Sequence, residues 1–196
     1  VYQPVNIKNE YKHILDANPD IIITCAYGQI IPETVLNYPK YGCINVHGSL
    51  LPKLRGGAPI HHAIINGFEY TGITIMYMDK LMDSGDIISQ ESIKILDEDN
   101  LDSLYEKMSH LGAKLLIETL PSIISKTNKR KKQQKEEVTF GYNITKEEEK
   151  ISFTKSSKDI HNLIRGLSSV PGAYCFLSDK RLKIYRSSQT NIKSKN

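Results

Sequence analysis

The sequence predicts an α/β domain built around a mostly parallel sheet, followed by a linker and by the start of a smaller second domain. Short runs rich in β-branched residues alternate with helical patterns along residues 1–125, which is typical of strands joined by helices. Of the 196 residues, 39% are hydrophobic and 24% are charged, a composition that excludes wholesale disorder. The net charge of +4 permits a polyanionic partner but does not require one.

The elements of the first domain follow from local patterns. Four strands are predicted, over residues 21–25, 43–46, 71–78 and 86–95. Three short helices are predicted, over residues 9–17, 32–36 and 59–66. Pro32 and Pro59 suit the first turn of a helix, and Gly67 ends the third helix.

A long amphipathic helix is predicted to begin at Leu101. Its apolar positions recur at steps of three and four, at Leu104, Met108, Leu111 and Leu115. Asp99 or Asn100 is expected to cap the first turn. Pro121 is expected to kink or end the helix, because proline removes a backbone donor.

The character of the chain changes after this helix. Residues 126–137 contain no apolar side chain and are strongly basic, as expected of a linker. Beyond them the pattern predicts a helix with Ile160 and Leu167 on its apolar side, and then a hairpin. The hairpin arms are predicted at 173–177 and 182–186, with 178–180 as the turn. The predicted division is a first domain over 1–125, a basic linker over 126–138 and a truncated second domain over 139–196.

The three cysteines predict free thiols. Cys25, Cys43 and Cys175 are odd in number and lack CxxC spacing, which argues against a disulfide framework or a zinc site. Cys25 and Cys43 lie in apolar runs, so we expect both to be buried. A reducing compartment is the simplest inference. Because the chain begins with Val1 rather than Met, we expect it to be a piece of a longer protein, so that a targeting segment is not observable.

The run NVHGSLLP at positions 45–52 is the most informative stretch. Side chains alternate along a strand, so Asn45 and His47 face the same side of the sheet. An amide can donate to a developing oxyanion, and an imidazole can exchange a proton near neutral pH. A lone Asn-x-His pair is more often structural than functional, so both interpretations stay open on these residues alone.

Three aspartates, Asp79, Asp83 and Asp86, lie in a short loop between two predicted strands. A calcium loop is one interpretation, but Leu81 and Met82 stand where oxygen ligands are needed. A second interpretation is a solvated turn in which Gly85 has a positive φ. In the third, one aspartate orients the ring of His47 and stabilises the imidazolium.

Taken together, four motifs resemble the formyltransferases that use 10-formyltetrahydrofolate. They are the run at 45–52, RGGAP at 55–59, TGITIM at 71–76 and MDSGD at 82–86. Within that superfamily the resemblance is greatest to the methionyl-tRNA formyltransferases. It extends to YQP at 2–4, AYGQIIP at 26–32, ITKEE at 144–148 and PGAY at 171–174. The matches after the linker favour the tRNA branch over its relatives.

The resemblance implies the residues of the site. Asn45, His47 and Asp83 match the catalytic residues of the family. The segment that contacts the folate matches Ser49, Leu50, Leu51 and Pro52. Gln29 and Ile30 match the loop that lines the pterin pocket. No metal ion is implied.

The resemblance also implies a fold and an activity. The first domain is expected to be Rossmann-like without its first strands, and the second to be a small, mainly β, OB-like barrel that binds tRNA. The implied activity transfers the formyl group of 10-formyltetrahydrofolate to the α-amino group of methionyl-initiator tRNA, in translation initiation. The implied partners are that tRNA and folate, without a membrane, in a monomer. The implied compartment is a bacterial cytoplasm, a mitochondrion or a plastid.

Some positions depart from the family pattern. Leu54 stands where a tryptophan commonly precedes the Arg-Gly pair, and the chain contains no tryptophan. Relatives also begin with a strand, a basic loop and a helix that precede the present residue 1. We therefore expect this piece alone to be inactive.

Alternative functions remain open. A formyltransferase or hydrolase of the same superfamily would use an amino-sugar nucleotide, a purine precursor or water as acceptor. A non-catalytic RNA-binding protein would use the basic linker, which is either simply solvated or lies along a tRNA backbone. Arg55 either contacts a phosphate or the folate tail, or forms a structural salt bridge.

Overall fold

The computed structural model describes residues 1–190 and contains a four-stranded sheet with strand order β1-β2-β3-β4. The strands are β1 (Ile22–Cys25), β2 (Cys43–His47), β3 (Tyr70–Tyr77) and β4 (Ile87–Lys94). The β1–β2 pair is parallel, whereas the β2–β3 and β3–β4 pairs are antiparallel. The α/β class is confirmed, although the described sheet is mixed. Apolar β-branched runs indicate burial and not strand direction, and β3 is buried along most of its length within an antiparallel arrangement.

Helices connect and cover these strands. They are α1 (Ile7–Glu10), α2 (Lys12–Asp16), α3 (Glu33–Leu36), α4 (Pro59–Ile65), α5 (Leu101–Ile124) and α6 (Ser157–Gly166). The helix predicted over 9–17 is divided at Tyr11 and begins earlier, because the side chain of Asn6 accepts a hydrogen bond from the Lys8 amide. None of the helices within residues 1–190 is long and apolar enough to cross a membrane.

Helix α5 packs on the sheet and closes the main core. Its cap is Asn100, which forms a reciprocal capping box with Ser103. Pro121 does not end the helix, which continues to Ile124. The buried core residues on the sheet and helices include Ile44, Ile64, Ile73, Ile75, Leu104, Met108 and Ile123.

A second core lies beyond residue 140. Here α6 packs against the hairpin of β5 (Ala173–Leu177) and β6 (Lys180–Ile184), around the buried residues Ile151, Ile164, Leu167, Ala173 and Cys175. The second arm begins two residues earlier than predicted. The turn needs only Ser178 and Asp179, with Ser178 in the left-handed region at φ +53°.

Two of the three cysteine thiols are buried and one is exposed. Cys43 is buried as expected, and burial raises the pKa of its thiol to about 11. Cys25 is exposed, so its expected burial is wrong. The cause is that Cys25 ends β1, which is an edge strand of the described sheet.

The basic linker segment (residues 126–138) lies against the first domain. The backbone of Lys131 exchanges two hydrogen bonds with Ile87, of 2.8 and 2.9 Å. The guanidinium of Arg130 lies 3.1 Å from the Asp86 carboxylate and 4.1 Å from the centre of the Tyr77 ring. A segment whose one apolar residue is Val138 is thus held by backbone hydrogen bonds, an ion pair and a cation–π contact.

The loop between β3 and β4 has two unusual positions. Asp83 adopts a left-handed backbone at φ +50°. Gly85 does not have a positive φ, so the interpretation of this loop as a turn with Gly85 at positive φ is wrong on that point. Gly85 is needed for a different reason. A Cβ atom there would overlap the carbonyl oxygen of Tyr77, with which the loop is in close contact.

The substitution Gly85→Ala is expected to destabilise the protein by about 1–3 kcal/mol, the usual cost of overpacking. The added methyl group has no room beside Tyr77, so the loop that carries Asp83 must move. The matched control is Gly28→Ala, since a Cβ at Gly28 meets nothing within 4 Å. Urea unfolding of both variants measures the difference, and equal stabilities would contradict the steric explanation.

Asp99 is a buried carboxylate whose protonation is expected to control stability at low pH. Burial tends to raise its pKa, but hydrogen bonds from Lys107, the Leu96 amide and Ser103 outweigh burial and lower it. A lowered pKa stabilises the fold above the unfolded pKa of about 3.9, and this contribution is lost as the pH falls through the folded value.

We therefore expect Asp99→Asn to lower the free energy of unfolding by about 1.5–3 kcal/mol at pH 7, as for hydrogen bonds to a charged group. The difference from the wild type should shrink as the pH falls below about 4. Urea titrations at pH 7 and pH 3 measure this, with Glu98→Gln as the control for removing an exposed neighbouring charge. A difference that is independent of pH would mean that the loss of stability does not come from the charge of the Asp99 carboxylate.

Candidate functional site

The candidate site lies where β1 and β2 end. The two strands are parallel, so their carboxyl ends meet at one edge of the sheet, as in other α/β ligand sites. His47 is the last residue of β2, and the loop after β1 begins beside it. The buried, apolar sequence of β2 thus carries Asn45 and His47 to this edge.

His47 is almost fully buried, with 5% of its surface exposed. Its Nε2 lies 3.0 Å from the Leu54 carbonyl oxygen, which can only accept, so Nε2 carries a proton. Its Nδ1 lies 3.7 Å from Oδ2 of Asp83. A protonated ring would therefore direct one N–H at a carbonyl and the other towards a carboxylate.

Asp83 reaches His47 from the loop between β3 and β4. Its Oδ2 also accepts a 2.8 Å hydrogen bond from the amide of Gly56, so the carboxylate lies between that amide and the imidazole. The other two aspartates of the loop point elsewhere. Asp79 accepts from the Lys80 amide, and Asp86 pairs with Arg130. Within residues 1–190 no cluster of three metal-ligating side chains occurs.

Asn45 is held in a defined orientation by a neighbouring strand. The hydroxyl of Thr24, its register partner on β1, lies 2.9 Å from the amide oxygen, nearer than to its other two acceptors, the Ile44 carbonyl oxygen and the Met78 sulfur, both at 3.2 Å. The amide nitrogen donates to no protein atom within residues 1–190. Asn45 thus presents a free N–H donor on the same side of β2 as His47. Thr24 was not singled out from the sequence, since a strand threonine carries no functional signal by itself.

The segment after β2 is divided between core and surface. Ser49 and Leu51 are buried, and Leu51 packs with Met76 and Ile87. The amide of Leu51 donates to Thr74 Oγ1 at 3.1 Å. Leu50 and Pro52 are half-buried. Only these last two of the four expected folate contacts therefore keep partly accessible side chains.

Gln29 and Ile30 lie in the loop that follows β1. The side-chain oxygen of Gln29 accepts a 2.9 Å hydrogen bond from the amide of Ile7, so this side chain anchors the start of α1. Ile30 is 70% exposed and remains available to a ligand. The loop thus reaches the expected edge of the sheet, but Gln29 has a structural partner already.

Arg55 and Gln133 connect the site to the linker segment. Nε and Nη2 of Arg55 donate to the side-chain oxygen of Gln133 at 3.1 and 2.7 Å. Arg55 forms no salt bridge with a described residue. The side-chain nitrogen of Gln133 donates to the carbonyl oxygens of Asp83 and Gly85, both at 2.8 Å. Nothing in the sequence distinguishes Gln133 from the polar residues around it.

This arrangement is suited to acyl transfer. A buried imidazole beside a carboxylate can accept and return a proton. A free amide N–H close by can donate to an oxyanion. The exposed apolar side chain of Ile30 follows β1 along the chain, and the half-buried Leu50 and Pro52 follow β2.

Comparison with known proteins gives family matches in both parts of the chain. Residues 4–120 match the formyl transferase family, and residues 143–196 match its C-terminal domain. The methionyl-tRNA formyltransferase of Staphylococcus epidermidis is 53% identical over 187 residues, which is 94% of this chain and 60% of that protein. The chain thus spans about 60% of the length of this curated relative.

Two solved structures share the fold. The methionyl-tRNA formyltransferase from Clostridium thermocellum has a TM-score of 0.72 and 24% identity, covering 93% of this chain and 78% of the other. HypX from Aquifex aeolicus in complex with tetrahydrofolic acid has a TM-score of 0.77 and 19% identity, covering 90% and 31%. With the family match over most of the first domain, these findings lead to one assignment: the chain belongs to the formyl transferase family.

Proposed function

We propose that the full-length protein transfers the formyl group of 10-formyltetrahydrofolate to the α-amino group of initiator methionyl-tRNA. The observation that carries this proposal is the convergence of Asn45, His47 and Asp83 at one edge of the sheet. The relative from Staphylococcus epidermidis, at 53% identity, supports the choice of acceptor.

The proposed chemistry assigns a role to each of the three side chains. The α-amino nitrogen attacks the formyl carbon, and the formyl oxygen gains the negative charge. The free N–H of Asn45 donates to this oxyanion, and the positive charge of a protonated His47 stabilises it electrostatically. As the bond from carbon to N10 of the folate breaks, the amine loses one proton and N10 gains one.

His47 moves the proton in this proposal, directly or through a water held by Asp83. Because Nε2–H is donated to the Leu54 carbonyl, the proton is gained and lost at Nδ1, which faces Asp83. Asp83 holds the ring and stabilises the imidazolium. The reaction calls for no metal ion.

The folate is proposed to bind along two segments that flank the site. Leu50 and Pro52 offer partly accessible surface after β2, and Ile30 is exposed in the loop after β1. Ser49, Leu51 and Gln29 would contribute indirectly, since they shape these segments through internal contacts. The complex of HypX with tetrahydrofolic acid supports a folate-derived donor for this fold.

The tRNA is proposed to contact the second domain, whose described part packs α6 on the β5–β6 hairpin. We propose domain limits at residues 1–125 and 139–196, with the linker segment between them. The compartment would be one with bacterial-type translation, and the protein would act as a monomer.

The first test replaces each proposed catalytic residue in the full-length protein. Asn45→Ala, His47→Ala and Asp83→Ala are each expected to lower kcat about 10²–10⁴-fold, the range for lost oxyanion donors and acid–base groups. The assay supplies 10-formyltetrahydrofolate and follows the formylation of charged initiator tRNA. His110→Ala, on the exposed side of α5, is the control and should retain full activity.

Other acceptors separate the competing functions. An amino-sugar nucleotide and water are offered in parallel, and a wild-type protein that formylates only the tRNA supports the proposed acceptor. Formylation of the sugar amine instead would assign a different branch of the family. If the wild type binds tRNA but formylates nothing, a non-catalytic RNA-binding function is the better account.

The exposed lysines of the linker segment provide a second test. Lys129, Lys132 and Lys135 are exposed, and we propose that they lie along the tRNA backbone. Their joint replacement by glutamine should weaken tRNA binding and reduce the slope of log K against log salt by about 0.7–0.9 per lost phosphate contact. The control variant replaces the exposed Lys8, Lys12 and Lys94 by glutamine, which removes the same charge from other parts of the surface. Equal losses in the two triple variants would mean that the linker lysines are simply solvated.

A further inference from the structure

We propose that Gln133 is a positioning residue that holds Asp83 in place against His47. It belongs to the linker segment and not to the catalytic loops, and it touches neither substrate in this proposal. The inference rests on the proposed function for its kinetic consequence. Its structural basis is a set of hydrogen bonds that join three separate parts of the chain.

Asp83 needs such support because its own contacts leave it weakly constrained. The 3.7 Å separation from His47 Nδ1 is too long for a hydrogen bond, so the imidazole does not fix the carboxylate. The backbone of Asp83 is left-handed at φ +50°, which is unfavourable for a residue with a side chain. The surroundings must therefore hold both the side chain and the backbone.

The amide of Gln133 holds this backbone. Its nitrogen donates to the carbonyl oxygen of Asp83 and to that of Gly85, both at 2.8 Å. These two bonds clamp the loop on either side of Ser84. They use both N–H donors that a glutamine side chain possesses.

The other half of the same amide holds the loop that fixes the carboxylate. Its oxygen accepts from Nε and Nη2 of Arg55. The next residue, Gly56, donates its amide to Asp83 Oδ2 at 2.8 Å. Gln133 thus joins the loop that carries Asp83 to the loop whose amide orients it.

The position of Gln133 is itself fixed from both sides. Before it, the backbone of Lys131 pairs with Ile87. After it, Thr139 pairs with the Leu54–Arg55 turn, where Thr139 Oγ1 accepts from the Leu54 amide at 2.9 Å and its carbonyl oxygen accepts from the Arg55 amide at 2.9 Å. The linker segment therefore fixes the position of the Gln133 side chain at the site.

The kinetic test uses Gln133→Met in the full-length protein, because methionine has a similar shape but cannot form these hydrogen bonds. We expect kcat for formylation to fall about 10–100-fold, as when a group that orients a functional residue is removed. KM for both substrates should stay close to wild type, whereas the melting temperature should fall, because four hydrogen bonds are lost. Gln134→Met, at an exposed neighbouring position, is the matched control and should behave as wild type.

Two further measurements distinguish positioning from a general structural role. In an Asp83→Asn background, Gln133→Met should cause no additional fall in kcat, since its effect acts through that carboxylate. Gln133→Glu keeps the acceptor for Arg55 but loses the donors to the loop. It should therefore be impaired like Gln133→Met.

Hydrogen exchange of the Gly56 amide, measured by NMR, tests the inference without an activity assay. Exchange should be faster in Gln133→Met than in the wild type and in Gln134→Met, because the bond to Asp83 Oδ2 opens more often. Unchanged exchange, an unchanged kcat, or a further fall in the Asp83→Asn background would each overturn the inference. A wild type that formylates nothing would refute the proposed function, and Gly56 exchange would still decide whether Gln133 positions Asp83.

Discussion

The burial of the His47 imidazole is the constraint on which the site depends. A polar ring with 5% of its surface exposed must be accommodated by polar groups inside the protein. Nε2 donates to the Leu54 carbonyl, and Nδ1 faces the Asp83 carboxylate at 3.7 Å. The turn after β2 and the loop between β3 and β4 must therefore meet at the end of β2. Leu51 and Leu54 are buried in the turn after β2, whereas the loop between β3 and β4 exposes Leu81 and Met82 and is therefore not brought there by apolar packing.

The linker segment supplies much of what holds these loops. A single glutamine amide contacts both, and Lys131 and Arg130 fix the segment to β4 and to Asp86. Because these contacts are polar, the near absence of apolar residues from the segment does not imply that it is detached. The same twelve or so residues that join two domains along the chain also complete the surroundings of the site.

The sequence allowed the fold class, the family and the long helix to be predicted, because each is encoded by local or ordered patterns. Apolar residues at steps of three and four are sufficient for α5, and the run at 45–52 is specific enough to identify the family. Strand direction was not predictable, since burial leaves the same apolar pattern in parallel and antiparallel pairs. The contact of Asp83 with His47 followed from the family resemblance, whereas its geometry required the tertiary structure.

Thr24 and Gln133 show why the remainder could not be predicted. Each acts through hydrogen bonds to residues that are distant in sequence, and neither residue type signals a function by itself. Their importance arises from where the fold places them: Thr24 opposite Asn45 on a paired strand, and Gln133 across from Asp83. Beyond Gln133 the chain runs beside the Leu54–Arg55 turn and on towards the second domain. The backbone that leads to the second domain is thus hydrogen-bonded to Arg55, the residue before the glycine whose amide donates to the Asp83 carboxylate.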